Sequence, residues 1–311
     1  MSDAPRAVPG APKAAPVVRT QALQAFLVQH QLLGFLTDVA RLCAWLFLLV
    51  VIFLPLERLF ALHPKKMFSK ATAVDVGFFF VSGLVPTLLL ALPLSFLAWG
   101  AHALVPYKVQ MAAANLPFWG RAAAALVVGE IGFYWGHRWT HEIPFLWRFH
   151  SVHHSVENLY FLASSHAHPF DNAFVRLCGF IPLYALGLAS PASAAGSLIP
   201  LLIIVVSTAW GFFIHSNLRW RLGPLEWVIS TPAFHHWHHT IDQHRDHNYA
   251  ANLPWIDRIF GTHYLPDHWP PAYGIETKLP TSLSGQLLHP FRTTEAVPAP
   301  AVETENVAVH T

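Results

Sequence analysis

Long apolar runs without charge alternate along the chain with short polar segments. Four such runs stand out: 42–56, 76–107, 122–136 and 177–218. Only the third contains a charged residue, Glu130. The last is 42 residues long, and since about 20 residues cross a bilayer as a helix, it has room for two spans with a turn near 187–196. The pattern predicts helices that are apolar on all sides.

The composition points to the same class of protein. Apolar residues make up 54% of the chain, charged residues 12%, and the mean hydropathy is +0.39, whereas soluble domains carry roughly 25% charge. We therefore predict an all-α integral membrane protein with about four to five transmembrane or re-entrant helices and a cytoplasmic-face, histidine-rich helical cap. The net charge of +2 lacks the basic excess that nucleic-acid binding needs, so no nucleic-acid partner is expected.

The long run at 177–218 also predicts the side of the membrane on which the polar segments lie. Both ends of a helical hairpin return to the same side, so the polar segments before and after it share one face. Basic residues crowd 58–70, after the first run, and the positive-inside rule makes that segment cytoplasmic. We expect an active site on the cytoplasmic face, with a bacterial inner membrane favoured over the endoplasmic reticulum.

The chain divides into three predicted segments. Residues 1–33 are rich in Ala and Pro at their start and are predicted to form a disordered tail and an interfacial segment. Residues 34–292 form the membrane domain, and 293–311 form a second disordered tail.

Histidine is unusually frequent, with 21 copies against 19 of Lys and Arg together. Fourteen lie in two windows, 137–168 and 215–247. Three motifs carry them: His137-x-x-x-His141, His150-x-x-His153-His154 and His235-x-x-His238-His239. Their i, i+3, i+4 spacing places each set on one helical face. Neutral imidazole is a good ligand for Fe, Zn, Cu and Ni, and eight imidazoles exceed the four ligands of one zinc, so two metal ions are predicted.

The helix that carries the first motif bears a stripe of further polar groups. Glu130, Tyr134, His137 and His141 recur at intervals of four, three and four residues. A carboxylate within a span is a functional candidate. Glu130 is expected to orient an imidazole N–H from outside the ligand shell, and a structural glutamate that snorkels to the interface is the alternative.

These motifs resemble the membrane fatty acid hydroxylase and sterol desaturase superfamily over about residues 125–265. The matching segments are Tyr134-Trp135-x-His137-Arg138-x-x-His141, the two His-x-x-His-His motifs, and Asn248-Tyr249 followed by Trp255-x-Asp257-Arg258-Ile259-Phe260-Gly261-Thr262. His168-Pro169-Phe170-Asp171 is similar to the family's His-Pro-x-acid segment, and His215-x-Asn217 to its extra ligand. The chain departs from the family at Ala250, where Gly is usual, and at Glu130, where Asp is common.

The resemblance implies a non-haem di-iron centre. Nine histidines are implied as ligands of two Fe ions: His137, His141, His150, His153, His154, His215, His235, His238 and His239. Zinc is a possible substitute in purified protein. Six residues are candidates for supporting the ligands from outside: Glu130, Tyr134, His168, Asp171, His236 and Asn217.

The resemblance further implies a membrane-bound oxygenase that hydroxylates or desaturates a C–H bond of a fatty acyl, sterol or related lipid, using O2 and two electrons. An apolar chain offers no acidic proton, so the cofactor must perform the difficult step while the protein positions the carbon. The sequence has no flavin, nicotinamide or haem motif, and electrons are therefore expected from an external donor of the cytochrome b5 or ferredoxin type.

Two other classes of protein also concentrate histidines. A membrane metal-binding or transport protein would place ionisable groups deep along its spans, whereas these motifs lie at the ends of apolar runs. A zinc hydrolase of the His-Glu-x-x-His type would need a second histidine, but His141-Glu142 is followed by Ile143, Pro144 and Phe145.

Overall fold

The computed structural model describes residues 32–64, 69–189 and 198–292, and within these ranges the regular elements are helical. The α-helices are α1 (Leu32–Leu59), α2 (Lys70–Leu104), α3 (Tyr107–Ala114), α4 (Phe118–Glu142), α5 (Pro144–His154), α6 (Pro169–Ala185), α7 (Leu198–Ile214), α8 (Pro232–His238), α9 (Trp255–Phe260) and α10 (Leu283–Arg292). Short 3-10 turns lie at Phe161–Ser165, Gly223–Trp227 and Gln243–Asp246. The predicted all-α class is confirmed for the described residues.

Two helices, α1 and α2, are long and apolar enough to cross a membrane. Helices α3 and α4 together pass the same test as a broken span, bent by 117°. The predicted hairpin at 177–218 appears as the end of α6 and the 17-residue apolar helix α7, with its predicted turn largely outside the described residues. The number of four to five spans therefore stays a prediction, while the apolar, helical character of the chain is confirmed.

The chain divides into two units according to its internal contacts, and the boundary lies within α1, after Leu49. The described part of the first unit, 32–49, is the start of that helix, and its side chains are mostly exposed. The predicted tails at 1–33 and 293–311 lie outside the described residues, apart from the first two residues of α1.

The second unit begins at Val50 and contains the remaining helices. Its apolar core lies between α4, α6 and α7, where Ala125, Leu183 and Ile199 are each buried. Proline at the first positions of α5, α6 and α8 starts these helices, since proline there has no N–H to leave unpaired. These short helices gather around the end of α4.

Close packing between α4 and α6 depends on glycine at position 132. A Cβ built on Gly132 would lie 2.3 Å from the carbonyl oxygen of Cys178 in α6. Small residues permit such close approach of helices, and the approach fixes the end of α4, which carries the first histidine motif.

Gly132→Ala is therefore expected to destabilise the fold by about 1–3 kcal/mol, since overpacking forces the helices apart. The measurement is thermal unfolding of the purified protein in detergent. Gly100→Ala in α2 is the matched control, because its Cβ would meet nothing within 4 Å. Equal melting temperatures for the two variants would contradict the prediction.

Candidate metal centre

Nine buried histidines meet where the ends of several helices converge. They come from the last turns of α4, from α5, from the residue after α7, and from α8 with the residue that follows it. They are His137, His141, His150, His153, His154, His215, His235, His238 and His239. Each is 8% exposed or less. The structure thus brings together all nine residues that the sequence nominated as ligands, in two groups.

The first group, called group one below, joins α4, α5 and α8. Its members are His137, His141, His150, His154 and His238. The Nε2 atom of His150 lies 3.1 Å from Nε2 of His137 and 3.1 Å from Nε2 of His154. The Nε2 atoms of His141 and His238 are buried and contact no hydrogen-bond partner among the described residues.

The second group, group two, joins α5, the segment after α7, and α8. Its members are His153, His215, His235 and His239. The Nε2 atoms of the other three members lie 3.0 to 3.2 Å from Nε2 of His215. The two groups are neighbours, because the rings of His154 and His239 stack with their centroids 4.5 Å apart.

Backbone carbonyls fix the orientation of four of these rings. The Nδ1–H groups donate as follows: His137 to Tyr249 at 2.7 Å, His153 to His166 at 3.1 Å, His215 to Gly211 at 2.7 Å and His238 to His247 at 2.8 Å. A carbonyl can only accept, so Nδ1 carries the proton and Nε2 presents its lone pair to the centre of the group.

Carboxylates orient two further rings of group one. Asp171 accepts from Nδ1 of His150 with both oxygens at 3.1 Å, which gives this residue the supporting contact that the sequence predicted for it. Asp246 accepts from Nδ1 of His141 at 3.0 Å and was not among the predicted residues. Its one sequence signal is that it follows the third histidine motif closely, within the 215–247 window.

Burial holds four of the histidines outside α4 in their neutral form. Burial lowers the pKa of His215 to about 4 and that of His238 to about 3. Burial together with the neighbouring imidazoles holds the pKa of His154 and His239 well below the usual value. Neutral imidazole is the form that binds metal ions.

The donor set fits metal ions. In two pairs, His137 with His150 and His153 with His215, Nδ1 of both rings donates to another group. Their Nε2 lone pairs therefore face each other at 3.1 and 3.2 Å and repel each other unless a cation lies between them. Zinc–nitrogen bonds are about 2.0–2.1 Å long, which places neighbouring ligand nitrogens of one ion about 3–3.4 Å apart. Each group offers at least four such donors, and together with the unpartnered Nε2 atoms of group one this arrangement could hold two metal ions.

Two predicted supporting residues on α4 have other partners. The carboxylate of Glu130 accepts from the backbone N–H and the side-chain amide of Asn252, at 2.5 and 2.6 Å. Tyr134 shares a hydrogen bond of 2.8 Å with Thr262. This differs from the expectation that Glu130 orients an imidazole. Glu130 instead holds Asn252, three residues after Tyr249. The backbone carbonyl of Tyr249 accepts the hydrogen bond from His137.

The other three predicted supporting residues also lie outside both groups. His168 accepts from the backbone N–H of Phe170 at the start of α6 and donates to the carbonyl of Leu287. His236 donates to the carbonyl of Ser216 and accepts from the hydroxyl of Tyr273. The side chain of Asn217 bonds both backbone groups of His63. None of these three side chains forms a hydrogen bond with a histidine of the two groups among the described residues.

The fold and the site together define a class: helical proteins with membrane-capable helices and two adjacent, buried groups of histidines at helix ends. Within that class, residues 122–262 match the fatty acid hydroxylase family. The matched segment contains all nine histidines as well as Asp171 and Asp246. The superfamily resemblance predicted from the sequence is confirmed.

Relatives of the chain include lipid hydroxylases and monooxygenases. The chain is 38% identical over 168 residues to an ornithine lipid hydroxylase of Rhizobium tropici, covering 53% of the chain and 49% of the relative. It is 33% identical over 152 residues to the alkylglycerol monooxygenase of Homo sapiens, covering 48% and 32%. It is 28% identical over 153 residues to methylsterol monooxygenase 2-2 of Arabidopsis thaliana, covering 47% and 55%.

The chain therefore spans about half, or less, of the length of these relatives. No solved structure shows significant similarity to it.

Proposed function

We propose that this protein is a membrane-bound, non-haem di-iron oxygenase that hydroxylates or desaturates a lipid. One observation carries the proposal: two adjacent groups of buried imidazoles, with no thiolate in either group, at the ends of apolar helices. Imidazole ligands suit an iron ion that changes between the ferrous and ferric states. The apolar helices would bring lipid chains to the same level as the site.

The two groups divide the ligands between two metal ions. Group one would hold one iron with donors from α4, α5 and α8, and group two would hold the other with His215 in place of a residue from α4. When bound, such a pair of irons supplies the two-electron reduction of O2 that attack on an unactivated C–H bond requires. Zinc could occupy the same donors in purified protein.

The surrounding residues keep the donors in place and keep water out. The Nδ1–H bonds to backbone carbonyls and to Asp171 and Asp246 hold the rings so that Nε2 faces inward. Partners of this kind orient metal ligands and raise their basicity. Because the histidines are almost fully covered by protein, a reactive species formed there is shielded from bulk water.

The substrate class follows from the names of the relatives, which act on an ornithine lipid, an alkylglycerol and a methylsterol. We infer a lipid with an unactivated carbon as substrate, O2 as the oxidant, and an external electron donor of the cytochrome b5 or ferredoxin type. We also propose an active site on the cytoplasmic face of the membrane; the basic segment after α1 supports this.

Isotope labelling tests the proposed reaction. Membranes that contain the iron-loaded protein, a reduced donor and total lipid extract are incubated under ¹⁸O2. We expect one labelled oxygen atom in a lipid product and the other in water, or a lipid that has lost two hydrogens with the label in water only. Membranes with the His235→Ala variant are the control. Consumption of lipid with oxygen derived from water would show a hydrolase and overturn the proposal.

A further inference from the structure

A cleft of about 590 Å³ lies beside the histidine site in the C-terminal half of the chain. Its polar lining comprises Arg221, Glu226, Arg258 and His263, and Trp227 forms an aromatic wall. The ring of His263 contacts that of Phe234 at a centroid distance of 5.5 Å, and Phe234 directly precedes His235 of group two. A side chain of α8 that is next in sequence to a histidine of group two therefore contacts the lining of the cleft.

The cleft carries one positive charge that no carboxylate balances. Arg221 is paired with Glu226, with its Nε 3.3 Å from Oε1, and it donates to the carbonyl of Pro266 at 2.9 Å. Burial, and then the charge of Arg258, lower the pKa of His263 to about 4, so His263 is neutral. Arg258 forms no ion pair within the described part of the chain.

The guanidinium of Arg258 is also short of hydrogen-bond acceptors. Its Cζ lies 3.3 Å from the centroid of the Trp227 ring, and one of its nitrogens, Nη2, donates to Nε2 of His263 at 3.1 Å. The other terminal nitrogen, Nη1, is buried and contacts no acceptor among the described residues. Stacking on an indole leaves the charge of an arginine available to an anion.

Four exposed apolar side chains lie on the segments that line this cleft. Leu225, Trp227 and Val228 are 56%, 64% and 55% exposed, and Ile259 beside Arg258 is 67% exposed. Trp227 lines the cleft, each of the other three directly neighbours a lining residue in the chain, and these four side chains are called the apolar rim below. Tryptophan together with arginine is typical of the level at which a membrane meets water.

Contacts with the end of α1 place the cleft near that level. The backbone N–H of Arg219 donates to the carbonyl of Phe60 at 3.0 Å, and the rings of Phe60 and Trp220 lie 5.4 Å apart. Phe60 directly follows α1, which is apolar enough to cross the bilayer. The segment leading into the cleft therefore starts where an apolar helix ends.

We propose that this cleft binds the anionic headgroup of a membrane lipid, with Arg258 as the cation and the apolar rim against the acyl chains. A phosphate oxygen would accept a charge-assisted hydrogen bond from the part of the Arg258 guanidinium that lines the cleft. Headgroup binding needs no metal ion and no turnover, so its test is separate from that of the proposed oxygenase function.

The test measures binding to the full chain in detergent by calorimetry, with three probes: dioctanoyl phosphatidylglycerol, dioctanoyl phosphatidylcholine and inorganic phosphate. We expect the anionic lipid to bind at least tenfold more tightly than either of the others. Arg258→Gln should weaken its binding by tenfold or more. Arg219→Gln, which removes one positive charge from an exposed residue outside the cleft lining, should leave it unchanged.

A second variant keeps the test decisive if Arg258→Gln fails to fold. Leu225→Ser changes an exposed rim residue and should weaken binding of the lipid severalfold without changing that of phosphate. Equal binding of the anionic and zwitterionic lipids, or equal losses in Arg258→Gln and Arg219→Gln, would overturn the proposal. Phosphate that binds as tightly as the lipid would show a site for free anions, with no role for the rim.

Discussion

Replacing His235 with alanine is expected to reduce bound iron from two ions per chain to about one and to lower lipid oxidation at least 100-fold. His235 lies in group two, and its Nε2 is 3.0 Å from that of His215. Loss of a residue that merely supports a metal ligand typically lowers affinity or activity by about 10–100-fold, so loss of a donor should have a larger effect. The measurements are metal analysis of purified protein and the labelling assay.

The neighbouring residue provides a matched control. His236 is fully buried on the same helix, but its nitrogens bind Ser216 and Tyr273 instead of a histidine. His236→Ala should keep both irons, although its melting temperature will fall because Tyr273 loses a buried partner. If both variants retained two irons, or if the wild-type chain bound one, the assignment of two metal sites would be wrong.

Asp171→Asn is expected to weaken iron binding in group one by about 10–100-fold, with a matching loss of activity. Both oxygens of the carboxylate accept from Nδ1 of His150, and an amide presents only one acceptor with no charge. Affinity is measured by competition with a chelator for the bound iron, and thermal unfolding of the metal-free protein is measured alongside it.

The control for this variant is Asp242→Asn. Asp242 also bonds a histidine, with its Oδ1 3.0 Å from Nδ1 of His244, but His244 belongs to neither group. Its substitution should leave iron affinity unchanged. Asp171 also lies in the first turn of α6, so a drop in the stability of the metal-free protein without a change in iron affinity would mean that its role is only structural.

The histidine site was predictable because its spacing follows from helix geometry. Ligands at i, i+3 and i+4 must share a face whenever the segment is helical, and α4, α5 and α8 are helices at those positions. His215 came from the resemblance instead, since a single histidine has no periodicity. The long apolar runs were likewise sufficient to predict α1 and α2.

The supporting contacts were harder to predict because they join residues far apart in sequence. Asp246 approaches His141 through the turn after α8, and no local pattern reports that approach. Glu130 has the spacing of a supporting residue, but its side chain turns to Asn252, 122 residues away. Every residue has a backbone carbonyl, so the sequence cannot show that the carbonyl of Tyr249 in particular accepts from a histidine.

The sharing of ligands among α4, α5 and α8 has a consequence for biosynthesis. A chain interrupted before α8 would contain six of the nine histidines, and each group would lack at least one donor. If the two groups bind metal ions as proposed, neither has its full set of donors until α8 and His239 have been synthesised. Since the free energy of metal binding adds to that of folding, metal binding at that stage would stabilise the packing of helices that have already formed.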